Sequence, residues 1–390
     1  MLTGLLPILA ATPAQGDAGL SVDAAFPGGN IIVERVEGYE LFVHQDLRDT
    51  EGDWFYWYFR VRAAAGRTLT VHFTQSRALG VRGPAASFDG GGTWEWLGAD
   101  SCDGQSFRCT LPEDAEEVRF CFAVPYLEAN LRAFLARHAG DPHLAVETLC
   151  TTAKGRAAEK LRVGRLDGAA PHRVLITCRH HCCEMMASYA LEGLIEAALG
   201  DGWLRDNVEF LLVPFVDKDG VEDGDQGKNR RPRDHNRDYD GASLYPTVRA
   251  ICETVPAWSE GRLRIALDLH CPHISGETNE AIYFVGSPYE AIWRETTRFA
   301  GVLESVRQGP LPYHTTDNLP FGQGWNAGQS YGDGKSFGRW ASELPDIGFA
   351  STIEIPYANA SGAAVTLDSA RAFGRDLATA VRTYLQQGQG

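Results

Sequence analysis

No stretch of this 390-residue chain stays apolar over the roughly 18 to 20 residues a membrane-spanning helix needs, so no such helix is expected. Positive charge is scarce: 36 Lys and Arg stand against 51 Asp and Glu, a formal net charge of -15. Such a surface repels phosphate backbones and anionic lipid, which excludes nucleic acid and membrane surfaces as general partners. A cysteine framework is lacking too. The nine cysteines are an odd number scattered over a long chain, and they read as reduced thiols in a cytoplasm. Met1 to Gln15 is apolar, with small residues near Ala11 to Ala14, and faintly suggests an export signal; Pro7 interrupts it and no Lys or Arg precedes it, so the chain is read as cytoplasmic. Internal repeats and low-complexity segments are absent.

What is present is an ordinary globular composition, 44% hydrophobic and 22% charged, in a chain long enough for two domains. From Gly28 to Cys121 short β-type runs alternate with Gly, Asp and Pro clusters: Ile31 to Val36, Tyr39 to Val43, Trp54 to Val61, Leu69 to Phe73 and Val118 to Val124. That rhythm predicts an antiparallel β-sandwich over 21–140. The aromatic run Trp54 to Phe59 reads as a strand buried on both faces rather than as a stacking platform for a ligand. After a helix over Leu127 to Arg137 the pattern changes. Val174 to Cys178, Val208 to Val213, Leu263 to Leu269, Ala281 to Val285 and Phe349 to Ile355 read as strands. Helices are expected between Ala187 and Ala198, with Gly200 as C-cap, and over Tyr289 to Val306 and Leu367 to Gln386. The alternation predicts an α/β domain over 141–390, a mixed, largely parallel sheet flanked by helices.

Ligands in open α/β sheets collect beyond the carboxyl ends of the strands. Three such ends carry chemistry here: His180-His181-Cys182-Cys183-Glu184 after the first strand, His270 closing another, and Glu354 near the end of the last. Two imidazoles and a carboxylate, with a fourth position left to water, make a catalytic zinc set. His181 and Glu184, three apart on a turn entering a helix, can face one ion, which selects His181 over His180. A structural Cys/His zinc site fails on spacing, because Cys182 and Cys183 are adjacent and no spaced pair completes it.

Lys228 to Arg237 holds five cationic residues and one acid in ten positions, a basic patch suited to a small anion such as a terminal carboxylate. Asp217 to Asp225 looks like a calcium loop but has Glu222 where that loop needs glycine. Gly328-Gln329-Ser330-Tyr331-Gly332 matches the pattern of a serine nucleophile elbow without the apolar strand that must precede it.

His181-x-x-Glu184, Asp219-Gly220-Val221, Asp234-His235-Asn236-Arg237, Leu267-Asp268-Leu269-His270 and Thr352-Ile353-Glu354 follow the order found in zinc carboxypeptidases of the carboxypeptidase A type. With Gly29-Asn30, Trp54-Phe55-Tyr56 and Val124-Pro125-Tyr126, the chain resembles in particular the cytosolic carboxypeptidase subfamily, whose catalytic domain follows a β-sandwich. The resemblance implies one zinc ion per chain on His181, Glu184 and His270, Glu354 as general base, and Asp234 orienting His181. It implies Asn236 and Arg237 on the substrate carboxylate, Tyr331 closing over the substrate, and the C-terminal tail of a peptide or protein as partner. Gly227 stands where the arginine that stabilises the oxyanion is expected; Arg230 is the preferred substitute, with Arg231 and Arg233 as alternatives. Arg339, beside the pocket-base position near Gly338, suggests a preference for acidic C-terminal residues. Two other readings compete: an aspartoacylase-like deacylase, disfavoured because only 36 residues follow Glu354, and a catalytically silent peptide-binding protein.

Overall fold

The structure, a computed structural model, describes residues 14–15, 19–75, 77–332 and 334–388, without the side chains of 14, 15, 277, 330 and 331. Residues 1–13, which carry most of the export-signal reading, lie outside the described residues. The chain divides into two units, one of Met1–Leu47 with Asp53–Val124, the other of Arg48–Gly52 with Pro125–Gly390. The short segment 48–52 therefore belongs to the second unit although its neighbours in sequence belong to the first.

The first unit holds a six-stranded and a five-stranded sheet. Every pair in them is antiparallel except Glu40–His44 with Thr68–Phe73. Aromatic rings join the two inner faces: Phe107 of one sheet lies 5.2 Å from Phe120 of the other, and Trp57 contacts Phe73 and Phe107. The aromatic run is core. Phe55 to Phe59 are buried, although the regular strand covers only Tyr58–Arg62, because Tyr56 and Trp57 spend their polar atoms on the carbonyls of Gly28 and Ala78.

In the second unit a seven-stranded mixed sheet has the order Leu144–Thr151, Ala157–Gly164, Val208–Val213, His172–Cys178, Leu263–His270, Phe349–Glu354, Tyr283–Val285. The four strands from Val208–Val213 to Phe349–Glu354 run parallel and the edges antiparallel. These parallel strands are buried almost throughout, which explains their near-continuous Val, Ile and Leu content. Helix Pro246–Ser259 covers one face through Val248, Ile251 and Val255, packed with Leu175, Leu211 and Ala266. Helix Met185–Gly200 follows the first parallel strand; Gly200 is its last residue and Asp201 the C-cap, one position beyond the expected stop. No helix among the described residues is long and apolar enough to cross a membrane, and all nine cysteines are free.

Candidate metal centre

The centre begins where strand His172–Cys178 ends. Arg179, the next residue, has φ +62°, a left-handed conformation that a bulky side chain rarely adopts. Its buried guanidinium donates to the carbonyls of Cys182 and Tyr126 and to Ser188 Oγ, which holds the turn in place. The two histidines that follow go different ways. His180 is fully buried, with Nδ1 2.8 Å from Asp268 Oδ1 and Nε2 2.6 Å from the Tyr239 hydroxyl. His181 instead places Nδ1 2.9 Å from Glu184 Oε1.

From the neighbouring strand, His270 places Nδ1 2.8 Å from Glu184 Oε2. One potential ligand atom each from His181, Glu184 and His270 lies within 4.8 Å of the others. Each of the two imidazoles turns its other nitrogen to an aspartate: His181 Nε2 is 3.1 Å from Asp234 Oδ2, and His270 Nε2 is 2.5 Å from Asp268 Oδ2. That is how metal-bound imidazoles are normally oriented, with the tautomer fixed by a carboxylate. The donor set fits a zinc ion: two nitrogens and one carboxylate converge, and no side chain of the trio is fully spent on another partner. A second cluster, His180, Asp268 and His270, is also compact enough for a metal. It fits worse, because both ring nitrogens of His180 already have partners, Asp268 on Nδ1 and the Tyr239 hydroxyl on Nε2, and Asp268 also accepts from the Thr177 hydroxyl.

The carboxyl groups of the centre are held ionised by its cations. Burial would raise the Glu184 pKa, but His270, Lys228 and His181 outweigh it and hold the carboxyl well below its ordinary range. Asp234 and Asp268 are likewise lowered against the effect of burial, chiefly by His181 and by His180 with His270. Three buried carboxylates thus stay ionised among three imidazoles and the Lys228 ammonium.

Glu354 enters by strand register. It is the Cα partner of His270 in the adjacent parallel strand, so both side chains emerge at the same carboxyl edge. It is buried, its Oε2 has no hydrogen-bond partner, and burial pushes its pKa up against the pull of Lys228 and His270. Asn236 reaches the same centre: its Nδ2 lies 3.3 Å from His270 Nε2 and its Oδ1 accepts from the Phe337 amide at 2.8 Å. Arg237 donates to the Asn236 carbonyl. Arg339 lies in the short helix Phe337–Ala341 with its Nε buried and unpartnered. Tyr331 ends a 3-10 turn, and its side chain lies outside the described residues.

Arg230 is not at the centre. Its guanidinium is held by Asp217 at 2.6 Å and Asp225 at 2.9 Å, a cage of buried carboxylates that sequence separation concealed. The exposed Arg231 pairs with Glu51, and Arg233 with Asp238 and Asp240. The cation that does reach the centre is Lys228, whose Nζ is 2.6 Å from Glu184 Oε1 and 2.8 Å from the Cys271 carbonyl. Burial disfavours its charge, yet Glu184 and Glu354 raise its pKa. Sequence reasoning counted Lys228 only as part of a basic run and gave Asp268 no role; the Asp-Leu-His spacing could have suggested the latter, since residues two apart on a strand share a face.

With this geometry in view, the relatives are informative. No protein-family model matches the chain. An uncharacterized protein of Zymomonas mobilis is 25% identical over 231 residues, 56% of this chain and 59% of that protein. Mouse cytosolic carboxypeptidase 3 is 26% identical over 261 residues, 57% of this chain and 26% of that protein. The chain thus matches less than two thirds of the length of either. Among solved structures, a metallo-carboxypeptidase from Burkholderia cenocepacia superposes with a TM-score of 0.76 at 20% identity, covering 94% of this chain and 99% of that one. A metallo-carboxypeptidase from Pseudomonas aeruginosa, in complex with (2-guanidinoethylmercapto)succinic acid, gives 0.72 at 21% identity over 94% and 99%. The chain has the fold of these metallo-carboxypeptidases. Its sequence is similar to the cytosolic carboxypeptidases, so the resemblance to the zinc carboxypeptidase family holds in both sequence and fold.

Proposed function

We propose that this protein is a zinc metallocarboxypeptidase that hydrolyses the last peptide bond of a peptide or protein tail. The observation that carries the reading is the meeting of His181, Glu184 and His270 beside a buried carboxylate, Glu354, that has an unpartnered oxygen. Zinc on those three residues supplies Lewis acidity, which makes a water nucleophilic near neutral pH and polarises the scissile carbonyl. The chain's own groups do the rest. Glu354 takes a proton from the attacking water as its oxygen bonds to the carbonyl carbon, and the C=O π pair moves onto the carbonyl oxygen. When that pair returns, the C–N bond breaks and Glu354 passes the proton to the leaving amine. One water is consumed; a shortened chain and a free amino acid result.

Asp234 and Asp268 keep the imidazoles oriented, and Asn236 with Arg237 receives the terminal carboxylate of the substrate. The helix carrying Arg339 is tied to Asn236 through the Phe337 amide, which supports Arg339 as a contact for an acidic C-terminal side chain. A metal assay together with a library of peptides differing in their last residue tests the proposal. Stoichiometric zinc and release of C-terminal Glu or Asp are expected. The Pseudomonas neighbour's ligand carries a guanidino group, so a preference for basic ends is the specific outcome that would sink the acidic assignment. Failure to bind zinc or to release any terminal residue would sink the whole reading.

A further inference from the structure

Gly227, at the position where the family resemblance expects the oxyanion arginine, can carry no side chain. Its φ is +81°, and a Cβ there would lie 2.5 Å from the Cys182 amide nitrogen and 2.9 Å from His181 Cα, the backbone of the ligand turn itself. The loop approaches that turn too closely for an arginine. One residue on, Lys228 points inward, 13% exposed, to Glu184 and to the carbonyl of Cys271. An ammonium has three N–H donors, and these two partners use two of them.

The loop bearing Lys228 is fixed by the distant segment 48–52. The Asp49 carboxylate accepts from the amides of Gln226 at 3.1 Å and Gly227 at 2.8 Å, and its carbonyl accepts from the Arg231 amide at 2.9 Å. The Thr50 hydroxyl donates to the Lys228 carbonyl at 2.6 Å. The backbone amides on both sides of Lys228, and its own carbonyl, are therefore held by segment 48–52.

We propose that Lys228 is the catalytic cation of this site, its third N–H stabilising the oxyanion, and that Asp49 and Thr50 are the positioning residues that hold it there. The inference rests on the metallocarboxypeptidase reading above. As the C=O π pair moves onto oxygen, the Lys228 ammonium meets the new charge in a water-poor site, where a preorganised donor is worth most. It gives up no proton; Glu354 carries the transfer.

The test uses the full chain with Lys228→Met, Lys228→Arg, Asp49→Ala and Thr50→Val, each assayed for zinc content, hydrolysis, and binding of a tetrahedral phosphonate peptide and of the free product amino acid. Lys228→Met is expected to keep wild-type zinc, lose about 100- to 1,000-fold in kcat/KM, and lose phosphonate affinity by a similar factor. Product affinity should stay within about threefold, and Lys228→Arg should recover part of the loss. Asp49→Ala should lower kcat about tenfold with little change in KM and add nothing in the Lys228→Met background. If Asp49→Ala does not fold, Thr50→Val carries the same expectation. Lys228→Met activity near wild type, a loss that tracks zinc loss, or equal weakening of phosphonate and product overturns the role of Lys228. Additive effects of Asp49 or Thr50 overturn the positioning role. A wild-type chain with neither zinc nor hydrolysis instead removes the reading on which both rest.

Discussion

His270 and Glu354 are Cα partners in adjacent parallel strands, 84 positions apart in sequence and side by side at one sheet edge. The ladder sets the spacing between His270, a proposed metal ligand, and Glu354, the proposed base, so neither depends on a mobile loop. Because the two roles are separable, Glu354→Gln should leave zinc occupancy at the wild-type level while hydrolysis falls by roughly 100-fold or more. Metal analysis and peptide hydrolysis on the same sample check this; a mutant as active as wild type would remove Glu354 from the mechanism.

Asp268 is shared by His270, His180 and Thr177, all within 2.8 Å of its oxygens. Removing it leaves the His270 ring unoriented and His180 without its acceptor. Asp268→Ala is expected to weaken zinc binding by about 10- to 100-fold, read by competition with a chromophoric chelator. Unchanged affinity would make Asp268 a packing residue only.

The close approach at Gly227 has a stability consequence. Gly227→Ala places a methyl against the Cys182 backbone in a conformation alanine disfavours, so a loss of about 1 to 3 kcal/mol is expected in urea unfolding. The same change should lower zinc affinity, since the atoms displaced belong to the turn bearing His181.

His235 gives a pH signature separate from catalysis. Its ring stacks on Tyr245 at 3.5 Å, and burial lowers its pKa to about 4, against the pull of Asp217. The unfolded chain, titrating near 6.5, binds the proton more readily. Stability from the neutral ring is therefore complete above about pH 6.5 and is lost as the pH falls towards 4, by about 3 kcal/mol. Urea midpoints measured between pH 7 and 4 should show the slope, and His235→Gln should flatten it; an identical slope in the variant would assign the effect to other groups.

The parallel strands were legible because burial on both faces leaves long apolar runs: Val208–Val213 is found with the expected bounds, and Leu263–His270 and Phe349–Glu354 differ from expectation by one residue. The hairpin Leu144–Thr151 and Ala157–Gly164 was not anticipated. Its outer strand is an edge with mixed exposure, including the half-exposed Val146, so no periodicity marks it. Helix Pro246–Ser259 was also missed. An internal Pro256 breaks the visible pattern, while Val248, Ile251 and Val255 still form the buried stripe.

From sequence alone came the residue types of the centre and their placement at strand ends, because an i, i+3 pair and a strand-terminal residue are constrained by local geometry. Which cation faces the centre was decided only in three dimensions. Arg230 and Lys228 are two residues apart and chemically alike on paper; carboxylates brought from Asp49, Asp217 and Asp225 enclose one, and Glu184 with the Cys271 carbonyl receives the other. Electrostatic partners are chosen by distance in space, and chain separation carries almost no information about that distance.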